Sequence, residues 1–227
     1  MMGGPLPTQD DATLALIDHA AGIIVTAAPG TGSTALIGAF STRRGVTQVP
    51  PLDGRHRVVG VDAKHGTVAE LVVAGLLAAG HGLRIVTTTR NPFDFYVAEW
   101  ERTRTRWVLE LRDPGSWVHS QPGAVDRIVD AVTLEFEPWL HKALDVVAHP
   151  PDGRRRLNPS HVEEADVILR MEAMEADLTD QLGLVLRVPP TNVTERDRAY
   201  WRHYSPATRR LVADAHAADL DRFAYAF

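Results

Sequence analysis

The sequence predicts an α/β fold in three layers, with a central parallel sheet flanked by helices. Short β-branched runs recur at Ile23–Thr26, Val58–Val61, Leu83–Thr89 and Asp166–Arg170. These runs are nearly continuous in apolar or β-branched residues rather than alternating, the pattern of strands buried on both faces. Segments of helical spacing separate them, and strands alternating with helices build a parallel sheet. A chain of 227 residues suits a single domain spanning 1–227.

The elements follow in order. Ile23–Thr26 is a strand, and the turn Ala28-Pro29-Gly30-Thr31-Gly32 ends it. Ser33–Phe40 then reads as a helix, with Ser33 or Thr34 near its N-terminus. Val58–Val61 is a second strand and Thr67–Ala79 a helix. Leu83–Thr89 is a third strand, after which Pro92 opens a helix to about Val108, since Pro suits a first turn. Residues 124–148 carry Ile128, Val132, Phe136, Leu140 and Leu144 at helical spacing. Asp166–Arg170 is a fourth strand, followed by helices at Glu172–Leu182 and Pro206–Phe223. The loops 41–57, 112–123, 150–163 and 183–205 are where substrate contacts are expected.

Composition narrows the function. Hydrophobic residues are 44% and charged residues 23%, which excludes a disordered or collagen-like chain. Cys is absent, so disulfides, thiolate metal sites and a cysteine nucleophile are excluded. The net charge of −5 argues against a nucleic-acid partner. The ten His show no metal-ligand spacing, and no metal is expected. No basic, apolar leader opens the sequence. The most apolar stretch, Val68–Ala79, is interrupted by Glu70 and falls short of the ~20 residues a membrane span needs. A cytoplasmic protein without a membrane span is expected. Only Lys64 and Lys142 offer a primary amine on a side chain.

A strand, a Gly-containing turn with two hydroxyl residues and a helix make an anion site. The glycines let several N–H groups converge, and the helix N-terminus adds unpaired donors and a favourable dipole. Ser33 and Thr34 add hydroxyl donors. The position after Gly32 is Ser33, where the nucleoside-triphosphatase loop needs Lys. An ordinary strand-to-helix turn with a Ser/Thr cap is the structural alternative.

Three separated segments resemble the sulfotransferases that use 3′-phosphoadenosine 5′-phosphosulfate (PAPS). Pro29-Gly30-Thr31-Gly32-Ser33-Thr34 resembles the family's 5′-phosphosulfate loop. Val86-Thr87-Thr88-Thr89-Arg90-Asn91-Pro92-Phe93-Asp94 resembles the strand–Arg–X–Pro–X–Asp element that holds the 3′-phosphate. Asn192, Tyr200, Tyr204, Arg209 and Asp219 to Tyr225 resemble the closing helix of carbohydrate-type members, and Leu169-Arg170-Met171-Glu172 a late strand. The resemblance implies a P-loop-containing nucleotide hydrolase-like fold. It also implies PAPS as sulfuryl donor, 3′-phosphoadenosine 5′-phosphate as product and no metal. The acceptor would be a hydroxyl on a small molecule, lipid or sugar, and a homodimer is compatible with it. Two positions depart from the family's pattern. Gly30 stands where a cation is common, and Ala98 stands where the 3′-phosphate site commonly has Ser.

Sulfuryl transfer needs positioning and stabilisation of charge on the leaving group, and one oriented donor is worth about 10²–10³ in rate. His65 is the expected general base, since imidazole titrates near neutral pH. Lys64 is the expected leaving-group cation. The structural alternative is a helix-capping His65 and a solvated Lys64, and Asp62 is a rival base. The planar fork of Arg90 suits a phosphate. An ion pair to Asp94, one helical turn on, is its structural alternative, and both can hold. Arg102, Arg104 and Arg106, spaced by two, do not share a helix face. Two other functions fit parts of the pattern: an ATP-dependent small-molecule kinase with Asp62 on magnesium, or a non-catalytic domain binding a nucleotide or a partner.

Overall fold

The computed structural model describes residues 15–49, 65–146, 156–196 and 198–227. The expected strand Val58–Val61, together with Asp62 and Lys64, lies outside them. The chain forms two compact units, Met1–Thr89 with Asn158–Asn192, and Arg90–Leu157 with Val193–Phe227.

The first unit holds a five-stranded sheet: β1 (Ala15–Asp18), β2 (Ile23–Thr26), β3 (Val46–Val49), β4 (Arg84–Thr89) and β5 (Val167–Arg170), in the order β3-β1-β2-β4-β5. β2, β4 and β5 run parallel, with Ile24 opposite Ile85 and Thr88 opposite Leu169. β1 is antiparallel to both β2 and β3. The sheet is therefore mixed, and the expectation of a purely parallel one is corrected. The cause is a tight hairpin after β1. Asp18 Oδ1 accepts the amides of Ala20 and Ala21 at 3.1 and 3.0 Å, and Gly22 turns the chain with φ 63°. An antiparallel margin on a parallel sheet is a common arrangement.

Side chains alternate between the two faces of the sheet. Leu16, Ile23, Val25, Val86 and Leu169 pack with Leu36 and Phe40 of α1 (Ser33–Ser41) and with Met174 and Leu178 of α8 (Met174–Leu182). Ala15, Ile17 and Ile24 pack on the opposite face with Val68 and Leu71 of α2 (Val68–Val73). Helices thus cover both faces within this unit.

α2 is shorter than the expected 67–79 helix. Gly75 takes φ 70°, its amide returns to Val72 O at 3.0 Å, and the Leu76 amide returns to Leu71 O at 2.9 Å. This left-handed glycine closure ends a helix. The expected loop 150–163 includes most of a six-residue helix, α7 (Pro159–Glu164).

The second unit is helical around an aromatic core. α3 (Pro92–Arg102) continues through a π-helical turn at Thr103–Trp107 into the short α4 (Val108–Glu110). The expected helix over 124–148 is two helices among the described residues, α5 (Ala124–Thr133) and α6 (Phe136–Val146). Pro138 has no N–H and fits only a first turn, so the helix restarts there. Val132, expected on the buried stripe, is half exposed at 50%. The last expected helix divides at His216 into α9 (Pro206–Ala215) and α10 (Ala217–Phe223). Phe93, Trp100, Phe136, Trp139 and Val212 form the core, with Phe93 against Phe227 at 4.9 Å and Phe136 against Tyr204 at 5.0 Å.

Two buried aspartates are expected to make the first unit acid-sensitive. Burial of Asp18 opposes its ionisation, but the amides of Ala21 and Ala20 and the Arg43 guanidinium, 2.8 Å away, outweigh it and hold the carboxyl below its ordinary 3.8. Burial likewise opposes ionisation of Asp177. Arg170, donating from its amide, Nε and Nη2 at 2.8, 3.0 and 2.7 Å, holds that carboxyl low as well. Depressed folded values stabilise above the ordinary aspartate range and stop doing so as pH falls through them. Urea unfolding at pH 7 and at about pH 3 and below is expected to show a loss of stability on acidification, and Asp177→Asn is expected to reduce that loss. An unchanged slope in the variant would remove Asp177 from the account.

Candidate phosphate loop and base

The loop between β2 and α1 is built around two left-handed glycines, Gly30 at φ 74° and Gly32 at φ 79°. Gly32 also lacks room for a side chain. A Cβ there would lie 2.7 Å from Met171 Cγ and 3.2 Å from its Sδ. Between the glycines, Thr31 is fully buried, donates to Ala28 O at 2.8 Å and meets the Thr88 hydroxyl of β4. Ser33 Oγ also donates to Ala28 O, at 2.9 Å. Each hydroxyl has one proton, so the Thr31 and Ser33 hydroxyls do not serve as anion donors in this geometry. They satisfy a buried carbonyl at the strand end that would otherwise be costly. The Thr34 hydroxyl has no hydrogen-bond partner among the described residues.

Any anion bound at this loop would therefore have to be held by the backbone. Ser33 and Thr34 open α1 as expected, the N-cap itself is Gly32, and no side chain caps the helix. Ala35 and Leu36 donate to Gly32 O at 3.0 and 3.3 Å, which leaves the Ser33 and Thr34 amides of the first turn without a backbone acceptor among the described residues. α2 shows the opposite condition. Thr67 and Glu70 form a reciprocal capping box, and the Glu164 carboxylate accepts the amides of Val68 and Ala69 at 2.8 and 3.1 Å. Burial pushes the Glu164 carboxyl up, against the pull of those two amides, and Glu70 pushes it up further.

His65 stands beside the start of this loop. Its Nδ1 is 2.6 Å from the carbonyl of Ala27, the residue after β2. A carbonyl only accepts, so Nδ1 carries the proton and the neutral ring has its lone pair on Nε2. That is the tautomer a general base of this kind uses. Lys64, its expected companion, lies outside the described residues.

Asn158 and His161 were not singled out by sequence reasoning. Asn158 Nδ2 donates to Pro29 O at 2.9 Å, and His161 Nε2 donates to His65 O at 3.0 Å. Their partners are 129 and 96 residues away in sequence. The only local signal is Asn158-Pro159, which marks a helix start.

In the second unit, Arg90 is buried at 7% and its Nε donates to Asp94 Oδ2 at 2.9 Å. Its Nη2 pairs with the same oxygen, and Arg196 Nη2 pairs with Asp94 Oδ1. The ion pair weighed for Arg90 is thus present, and the carboxylate is shared by two guanidinium groups. Burial pushes the nearby Glu99 carboxyl up, against Arg102, Arg127 and Arg90. Ala98 is buried on α3 and contributes no hydroxyl. Arg104 stacks on Trp100 at 4.3 Å, and Arg102 Nε donates to Thr194 Oγ1 at 3.2 Å.

The chain matches no protein-family model, no curated protein and no solved structure. No helix among the described residues is long and apolar enough to cross a membrane.

Proposed function

We propose that the chain is a sulfotransferase that moves the sulfuryl group of PAPS to a hydroxyl acceptor. The observation that carries this reading is the uncapped first turn of α1, reached through the left-handed pair Gly30 and Gly32, with the His65 ring held against the same strand end by Ala27 O. PAPS supplies an activated sulfuryl group, and its departure leaves 3′-phosphoadenosine 5′-phosphate. The Ser33 and Thr34 amides would hold the 5′-phosphosulfate oxygens. His65 Nε2 would take the proton of the acceptor hydroxyl as its oxygen bonds to sulfur. Lys64 is assigned to charge on the leaving phosphate, a role that Gly30 does not fill. Arg90 is assigned to the 3′-phosphate on the strength of the resemblance. Asp94 and Arg196 would then tune its guanidinium.

Titration calorimetry tests the reading. Tight binding of 3′-phosphoadenosine 5′-phosphate without magnesium, and weaker binding of ADP, is the expected result. Preference for ATP with magnesium would favour the kinase, and no nucleotide binding would favour a partner-binding domain. Arg90→Ala is expected to weaken the 3′-phosphorylated nucleotide by roughly ten- to a hundredfold, the worth of a charged hydrogen bond. Adenosine 5′-phosphate should change little. Equal weakening of both would withdraw Arg90 from the 3′-phosphate.

A further inference from the structure

We propose that α7 is a clamp on the loop and the base, in which His161 is the positioning residue for the His65 imidazole. The catalytic half of this proposal rests on the sulfotransfer reading; the geometric half does not. Asn158, His161 and Glu164 recur every three residues, the spacing that places side chains on one face of a helix. Each reaches a different backbone point within the first unit. Asn158 holds the Pro29 carbonyl at the head of the loop, His161 holds the His65 carbonyl, and Glu164 holds the first two amides of α2.

These three points bracket the residues that the chemistry needs. Pro29 precedes the left-handed glycine pair. His65 is fixed through its ring to Ala27 and through its carbonyl to His161. Two residues further on, Thr67 begins α2 under its capping box. The segment 65–67 is therefore tied down on both sides of Gly66. His161 is itself buried, at 5% exposure, so its ring has little freedom to release the carbonyl. The left-handed Asn158, at φ 51°, starts the helix and directs its amide to the loop. A ring held at backbone and side chain keeps one tautomer and one orientation, and a base misplaced by about 1 Å can lose roughly a hundredfold in rate.

Ring-nitrogen NMR of ¹⁵N-histidine-labelled full-length protein tests the geometry, and kinetics with PAPS tests the consequence. In the wild type, His65 should show the Nδ1–H tautomer. His161→Phe keeps the ring's bulk but removes the donor. It should convert the His65 signal to a mixture of tautomers and lower kcat by roughly ten- to a hundredfold at unchanged KM. His161→Gln keeps an N–H near the position of Nε2 and should restore both readouts. A wild-type tautomer and rate in His161→Phe, or a His161→Gln variant as impaired as His161→Phe, would overturn the proposal. If His161→Phe does not fold, Asn158→Ala decides. It should weaken 3′-phosphoadenosine 5′-phosphate by about threefold or more, the worth of one neutral hydrogen bond, and unchanged affinity would overturn the clamp. A wild type that does not transfer the sulfuryl group defeats the sulfotransfer reading alone, because the tautomer comparison still decides the geometry.

Discussion

Replacing His65 by alanine is expected to lower sulfuryl transfer by about 10²–10⁴-fold, the usual contribution of a positioned general base. Affinity for 3′-phosphoadenosine 5′-phosphate should stay nearly unchanged, because the donors proposed for its 5′-phosphate are main-chain amides of α1 and not the imidazole. The geometry supplies a sharper comparison. Asparagine places its amide nitrogen where Nδ1 sits and can keep the bond to Ala27 O, now 2.6 Å from the ring nitrogen. It has no counterpart of Nε2. His65→Asn should therefore preserve stability and nucleotide affinity while losing turnover as fully as His65→Ala. If His65→Asn turns over at the wild-type rate, His65 is a structural prop of the strand end and the base is elsewhere.

The local pattern of the loop is legible in the sequence, and its long-range partners are not. Ile23–Thr26 is the observed strand to the residue, and the helix after Gly32 begins at Ser33 as the pattern implies. β-branched runs and glycines carry that information without help from the rest of the chain. β1 escaped because Ala15-Leu16-Ile17-Asp18 is a short apolar run closed by an acid, and periodicity does not separate a four-residue strand from a turn of helix. The polar Val46–Val49, with Thr47 and Gln48 inside it, is the outermost strand next to β1 among the described residues and carries little apolar signal of its own. Pro138 was a readable break in the 124–148 helix, and an unbroken apolar spacing concealed it. At the site, Ser33 and Thr34 read as hydroxyl donors. The Ala28 carbonyl claims the Ser33 proton together with that of Thr31, and that depends on how the two left-handed glycines fold the turn back on its strand. Asn158 and His161 act on residues about a hundred positions away, a relation that no local pattern records.

Gly32→Ala is expected to destabilise the protein by about 2–5 kcal/mol and, on the proposed reading, to abolish tight nucleotide binding. Two costs combine. A residue with a Cβ at φ 79° bears roughly 1–2 kcal/mol of backbone strain. The new methyl meets Met171 Cγ at 2.7 Å and approaches Met174 Cε at 3.4 Å, and such overpacking typically costs about 1–3 kcal/mol. Met171 is flexible and partly exposed, so the second cost is the one that a neighbour can relieve. The double variant Gly32→Ala with Met171→Ala separates the two. Denaturant unfolding should show that Gly32→Ala costs less in the Met171→Ala background than in the wild type, leaving the strain component. Equal costs in the two backgrounds would mean that the turn yields to the methyl and that Met171 does not press on it. Because Gly32 is also the N-cap of α1, any shift that accommodates a Cβ rotates the amides of Ser33 and Thr34 with it. Nucleotide affinity should therefore remain impaired in the single variant even at temperatures where it is fully folded, and recovery of affinity should follow recovery of stability in the double variant.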